Sequence, residues 1–132
     1  MIQALVMTHG RIGEELVRVV EMILGPTEGL VAISNHGLGA DDLQQKVQEW
    51  LGEPGAGGGA GPGRVIFIDD FGGSCGTAAQ LCCGPREDVA IIAGVNLAML
   101  LGFVTWREDS DLDELAQQVI QKGREAITRL GK

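Results

Sequence analysis

Four apolar runs of strand length punctuate the chain, at residues 2–7, 30–33, 65–68 and 89–93, and none of them alternates with polar positions. A continuous run is what a strand covered on both faces needs, as in a parallel sheet with helices on either side. Between the first two runs, Ile12, Leu16, Val19, Val20 and Ile23 recur at helical spacing, and the pattern stops at Gly25-Pro26. This predicts a helix over 12–24. A second helix is predicted over 40–51, with Asp41 and Asp42 in its first turn, where carboxylates favour the helix dipole. The order βαβαβ then implies right-handed crossovers and a parallel α/β sheet.

Residues 52–63 are rich in glycine and hold two prolines, a composition that predicts a flexible surface connection, not a packed element. Gly55, Gly57 and Ala60 match a loose Gly-x-Gly-x-x-Ala pattern. A dinucleotide fingerprint follows a strand and opens a helix, whereas this stretch does the reverse, so it is read as a linker. Beyond Ser74 a helix is predicted from Gly76 or Thr77 to Cys83, ended by Gly84-Pro85. After the strand at 89–93, Gly94-Val95-Asn96 leads into a helix from about Leu97. Residues 112–122 read as the last helix, interrupted by Gly123, and residues 124–130 fit either helix or a short strand.

At 132 residues the chain accommodates one domain with a proper core. Its 45% hydrophobic and 21% charged residues are those of a folded globular protein. A formal net charge of −8 argues against non-specific nucleic-acid binding, which needs a basic face, and suits a basic protein partner. No run approaches the roughly 18–20 apolar residues of a membrane span. Residues 2–7 are short and lack the basic flank of a signal peptide, so a cytoplasmic location is expected. Cys75, Cys82 and Cys83 are an odd number in one short region, which is no disulfide framework.

Two segments stand where a buried strand would end: Thr8-His9-Gly10 after the first run and Asp69-Asp70-Phe71-Gly72-Gly73-Ser74 after the third. In open α/β sheets sites are built at the carboxyl ends of strands, and a doubly wound order brings these two together. A neutral imidazole is a nucleophile near pH 7 and can accept a phosphoryl group on one nitrogen while the other keeps its proton. Asp69 is placed to accept a hydrogen bond from that second nitrogen; Asp70, next along, points to the other side. Gly72 and Gly73 offer unobstructed backbone N–H groups, and Ser74 a hydroxyl, at a helix start, a natural phosphate seat. No metal or cofactor is required, since phosphoryl transfer is mostly positioning and electrostatics. Each feature alone has a plainer reading, as a structural histidine, a helix cap or a tight turn. Their coincidence at two adjacent strand ends is what points to chemistry.

Other candidates are weaker. His36, after the second strand, borders the same end of the sheet but reads as a solvated loop histidine. The cysteines have no histidine at zinc-finger spacing, and the adjacent Cys82-Cys83 pair suits helix packing better than tetrahedral zinc. Cys75, beside the turn, is a candidate reactive thiol. No Gly-x-x-x-x-Gly-Lys-Ser/Thr motif is present, which disfavours a nucleoside triphosphatase.

These residues resemble the IIA component of the mannose-type bacterial sugar phosphotransferase system. The resemblance rests on Thr8-His9-Gly10, on Glu21-Met22-Ile23-Leu24-Gly25, and on Val65-Ile66-Phe67-Ile68-Asp69 followed by Phe71-Gly72-Gly73-Ser74. It continues through Ala78-Ala79, the stretch Ile92-Ala93-Gly94-Val95-Asn96-Leu97-Ala98-Met99-Leu100, Asp113-Glu114-Leu115 and Gly123-Arg124-Glu125. It implies that His9 carries the phosphoryl group, received from the phosphocarrier HPr and passed to a IIB component that serves membrane IIC and IID components. It also implies that Asp69 orients the ring, that Ser74 helps hold the phosphoryl oxygens, and that a homodimer exchanges a short C-terminal strand, here 124–130. One departure stands out: the family turn continues Gly-Gly-Ser-Pro, and here Cys75 replaces the proline.

The expected architecture is a single three-layer α/β domain over residues 1–132, its mostly parallel sheet ordered 2-1-3-4. The expected function is a phosphohistidine carrier, with a regulator read through the state of His9 as the alternative and a Cys75-based redox protein as a third class.

Overall fold

The computed structural model describes residues 1–52 and 61–132. Four strands and five helices alternate along the chain. They are β1 (Gln3–Thr8), α1 (Ile12–Leu24), β2 (Leu30–Ser34), α2 (Ala40–Leu51), β3 (Arg64–Ile68), α3 (Ser74–Cys83), β4 (Val89–Ala93), α4 (Leu97–Trp106) and α5 (Leu112–Glu125). The strands form one parallel sheet in the order β2-β1-β3-β4, as the pattern and the resemblance predict.

Side chains alternate across the two inner strands, and each set meets its own layer of helices. Ala4, Val6, Val65 and Phe67 join Val20, Leu100, Phe103, Leu115 and Val119 on the side of α1, α4 and α5. Leu5, Met7, Ile66 and Ile68 meet Leu43, Val47, Ala78 and Ala79 on the side of α2 and α3. This two-sided burial explains why the runs are apolar throughout. Phe67 and Phe103 meet edge to face, ring centroids 5.6 Å apart, and tie the sheet to α4.

Two boundaries differ from the sequence reading. The helix expected from Gly76 or Thr77 starts at Ser74, because Gly73 takes extended backbone (φ −114°, ψ −168°) and serves as its N-cap. The turn glycines therefore abut the helix directly. Gly123 does not interrupt the last helix, which runs through it to Glu125. A Cβ there would stand 2.6 Å from Met99 Cγ, and Asn96 Nδ2 donates to the Gly123 carbonyl at 3.2 Å. Close approach of α5 to α4 offsets the ~1 kcal/mol that glycine costs in a helix.

Of the segment 124–130, Arg124 and Glu125 belong to α5, and residues 126–132 hold neither helix nor strand in the single chain. The linker reading of 52–63, with its Gly55, Gly57 and Ala60 pattern, falls largely on residues 53–60 and lies outside the described residues. Among the described residues no helix is long and apolar enough to cross a membrane.

Candidate functional site

β1 and β3 are neighbours in the middle of the sheet, and Met7 stands opposite Ile68. Parallel register therefore delivers the residues after them, His9 and Asp69, to the same end. Sheet order reverses here: the chain leaves β1 toward β2 on one side and returns to β3 on the other, which opens a crevice at the strands' carboxyl ends.

Three bonds fix the imidazole's environment. Asp69 Oδ2 accepts the His9 backbone N–H at 3.1 Å, and Asp69 Oδ2 and Oδ1 lie 3.0 and 3.2 Å from His9 Nδ1. An ionised carboxylate only accepts, so this pairing puts the ring proton on Nδ1 and leaves Nε2 with a free lone pair. Burial alone would raise the Asp69 carboxyl. The hydrogen bonds from the His9 backbone and ring, and the ring's charge, outweigh it and hold the carboxyl below its ordinary 3.8. The Asp70 backbone N–H adds a further bond to Asp69 Oδ1 at 3.0 Å.

Neighbouring elements hold the histidine's own loop. Gly10 turns the chain with φ +55°, a left-handed conformation that glycine enters without a Cβ penalty. Its N–H donates to Asn35 Oδ1 at 3.0 Å, and the Asn35 N–H donates to the Thr8 carbonyl at 3.0 Å. Thr8, fully buried, accepts the Gly13 N–H on Oγ1 at 2.7 Å and so fixes the start of α1 against β1. The sequence alone does not show these two contacts. An asparagine at the end of β2 and a threonine before the histidine were the available signals.

On the opposite wall, Gly73 lies against the ring: a Cβ built there would stand 2.7 Å from His9 Cε1 and 2.8 Å from Nε2. Ser74 follows at the first position of α3. The Gly72 N–H donates to Asp70 Oδ1 at 3.3 Å, a long bond that must yield for this amide to reach an anion. Asp70 is exposed and serves the turn, in keeping with its weaker standing. Gly76 lies under the turn, where a Cβ would collide with the Phe71 carbonyl. Phe71 itself is 73% exposed beside the site.

The other candidates separate. His36 is exposed, its N–H donating to Ser34 Oγ at 3.1 Å. Cys82 donates to the Gln44 carbonyl across α2 and α3, and Cys83 is fully buried in the core, so both pack helices. Cys75 is different: it is buried in the first turn of α3, and its Sγ, a ring nitrogen of His9 and a carboxylate oxygen of Asp69 all lie within 4.8 Å of one another. Burial, with the Asp69 charge second, pushes its thiol up to about 11, and a bond with Ser74 offsets this in part. A thiol held protonated near neutral pH is a poor nucleophile.

Comparison with known proteins places the chain in a family. A family model described as PTS system fructose IIA component matches residues 3–120. The mannose-specific EIIAB component of Escherichia coli is 32% identical over 125 residues, which are 93% of this chain and 38% of that relative's length. This chain thus spans well under half of that curated relative. Among solved structures, phosphotransferase system component EIIA from Streptococcus agalactiae superposes with a TM-score of 0.86 at 22% identity, covering 98% of this chain and 97% of that one. The mannose/sorbose-specific IIA subunit from Enterococcus faecalis gives 0.80 at 26% identity, covering 99% and 96%. The chain belongs to the mannose-type IIA family of the bacterial sugar phosphotransferase system.

Proposed function

We propose that this IIA component carries a phosphoryl group on His9 Nε2, taking it from phosphorylated HPr and giving it to a IIB component in the cytoplasm. The observation that carries the reading is the pairing of Asp69 with Nδ1 at 3.0 and 3.2 Å, which leaves Nε2 as the available nucleophile. In the accepting step the Nε2 lone pair bonds to phosphorus as the donor's P–N bond breaks, and the donor ring recovers that electron pair. The His9 ring keeps its Nδ1 proton and becomes cationic, a charge that the Asp69 carboxylate opposes. The delivering step is the reverse. Ser74 and the amides of Gly73 and Gly72 are assigned to the phosphoryl oxygens at the N-terminus of α3.

The family resemblance further implies a homodimer that exchanges a strand from residues 124–130, of which 126–130 lie beyond the end of α5. Ile127 and Leu130 are 82% and 89% exposed on the single chain, an apolar pair that such an exchange would cover. Transfer from isolated phospho-HPr, followed to a IIB protein, tests the function. Loss of the label from HPr and its appearance first on this chain and then on IIB is expected; uptake without onward transfer would instead favour the regulatory alternative.

A further inference from the structure

Cys75 is a buried thiol that the proposed phosphoryl transfer does not use. Its position beside His9 and Asp69 brings together a thiol, an imidazole and a carboxylate, with one atom of each within 4.8 Å of the others. The three members come from three places in the chain: the turn after β1, the turn after β3 and the first turn of α3. The three differ in access: the His9 side chain is 45% exposed, that of Asp69 17%, and Cys75 is fully buried. The cluster therefore has a closed floor at sulfur and an open mouth at the ring.

These are the three ligand types that zinc takes, at about 2.3 Å to sulfur and about 2.0–2.2 Å to nitrogen and oxygen. Ligands of one tetrahedral ion at those lengths lie roughly 3.3–3.8 Å apart. No separation in the set exceeds that spacing by more than about 1.5 Å; His9 Nδ1 and Asp69, at 3.0 and 3.2 Å, already stand slightly inside it, and the half-exposed ring is the part that adjusts. Magnesium and calcium prefer all-oxygen shells and have no use for the sulfur.

We propose that His9, Asp69 and Cys75 form a three-ligand site for a thiophilic divalent cation, zinc foremost, with the fourth position open to solvent or an anion. Binding replaces the Cys75 S–H bond with an S–Zn bond and releases that proton to water. On the reading of His9 as the phosphoryl acceptor, the bound ion and the phosphoryl group exclude each other. An ion on Nε2 occupies the acceptor atom, and one on Nδ1 displaces the hydrogen bond to Asp69.

The test is titration of metal-free protein with zinc or cobalt(II), without any phosphoryl donor, so that it succeeds or fails independently of the carrier function. One ion per chain is expected, with a near-ultraviolet thiolate-to-cobalt charge-transfer band. The band should vanish in Cys75→Ser and persist in Cys82→Ala, and zinc affinity should fall at least tenfold in both Cys75→Ser and His9→Gln. His9→Gln alters a half-exposed side chain, so it remains informative should Cys75→Ser disturb folding. Absence of stoichiometric binding, or affinity unchanged in these two variants, overturns the site. Zinc binding by a protein that takes no phosphoryl group from HPr would overturn the carrier function and leave the metal site standing.

Discussion

Gly73 and His9 are in contact so close that a single methyl group at residue 73 would stand 2.7 Å from the imidazole Cε1 and 2.8 Å from Nε2. Backbone conformation does not demand glycine there, since φ −114° suits any residue. Space does. In Gly73→Ala the ring must swing away from the turn, and the geometry with Asp69 goes with it. Because the ring is partly exposed, the thermal midpoint should change little. Misplacement of a reacting group by about 1 Å can cost roughly a hundredfold in rate, so phosphoryl uptake from HPr should fall about ten- to a hundredfold. Wild-type uptake rates in this variant would show that Nε2 does not need the turn.

Asp69→Asn removes the charge that opposes the cationic ring. The amide can also donate to Nδ1, which would move the ring proton to Nε2 and silence the nucleophile. A hydrogen bond to a charged group is worth about 1.5–3 kcal/mol, or about ten- to a hundredfold in rate. Stopped-flow transfer from phospho-HPr should show at least that loss while binding of HPr, measured by calorimetry, stays intact.

Phe71 is 73% exposed two residues beyond Asp69, and nothing among the described residues calls for an aromatic ring in solvent there. An aromatic at the lip of the site suits an anchor for the proposed phosphoryl-exchange partners. Phe71→Ala should raise KM for phospho-HPr about five- to thirtyfold, an anchor of about 1–2 kcal/mol, and lower kcat far less. An unchanged KM would remove Phe71 from the docking surface.

Cys83 supplies a pH dependence of stability. Burial is the main reason its thiol is pushed up from an ordinary 9.0 to about 11. The folded state thus holds this proton more tightly than the unfolded chain. The resulting stability is fully present below pH 9, declines as pH rises, and is lost by about pH 11. Urea midpoints measured from pH 8 to 11 should fall more steeply for the wild type than for Cys83→Ala, the difference amounting to about 1–2 kcal/mol. Parallel curves would mean that the folded thiol ionises as freely as the unfolded one.

The parts of this molecule that the sequence exposes are those set by position along one element. Unbroken apolar runs at 65–68 and 89–93 announce strands buried on both faces, and His9 and Asp69 stand out because each ends such a run. What stayed hidden depends on contacts between elements. Asn35 supports Gly10 only because β2 lies beside β1, and Gly123 continues a helix only because Met99 and Asn96 approach it. Cys75 stands beside the turn in the sequence, but only the fold sets its sulfur within 4.8 Å of both His9 and Asp69. The start of α3 at Ser74 lies two or three residues before the expected Gly76 or Thr77, because the extended Gly73 N-cap carries no side-chain signal.

The most direct test of the account is intact mass after incubation with phosphoenolpyruvate, enzyme I and HPr, with wild type and His9→Ala run side by side. An acid-labile gain of one phosphoryl group on the wild type and none on His9→Ala is the predicted result. The same gain on His9→Ala, or no gain on the wild type with cognate donors, would contradict the assignment of His9 as the carrier.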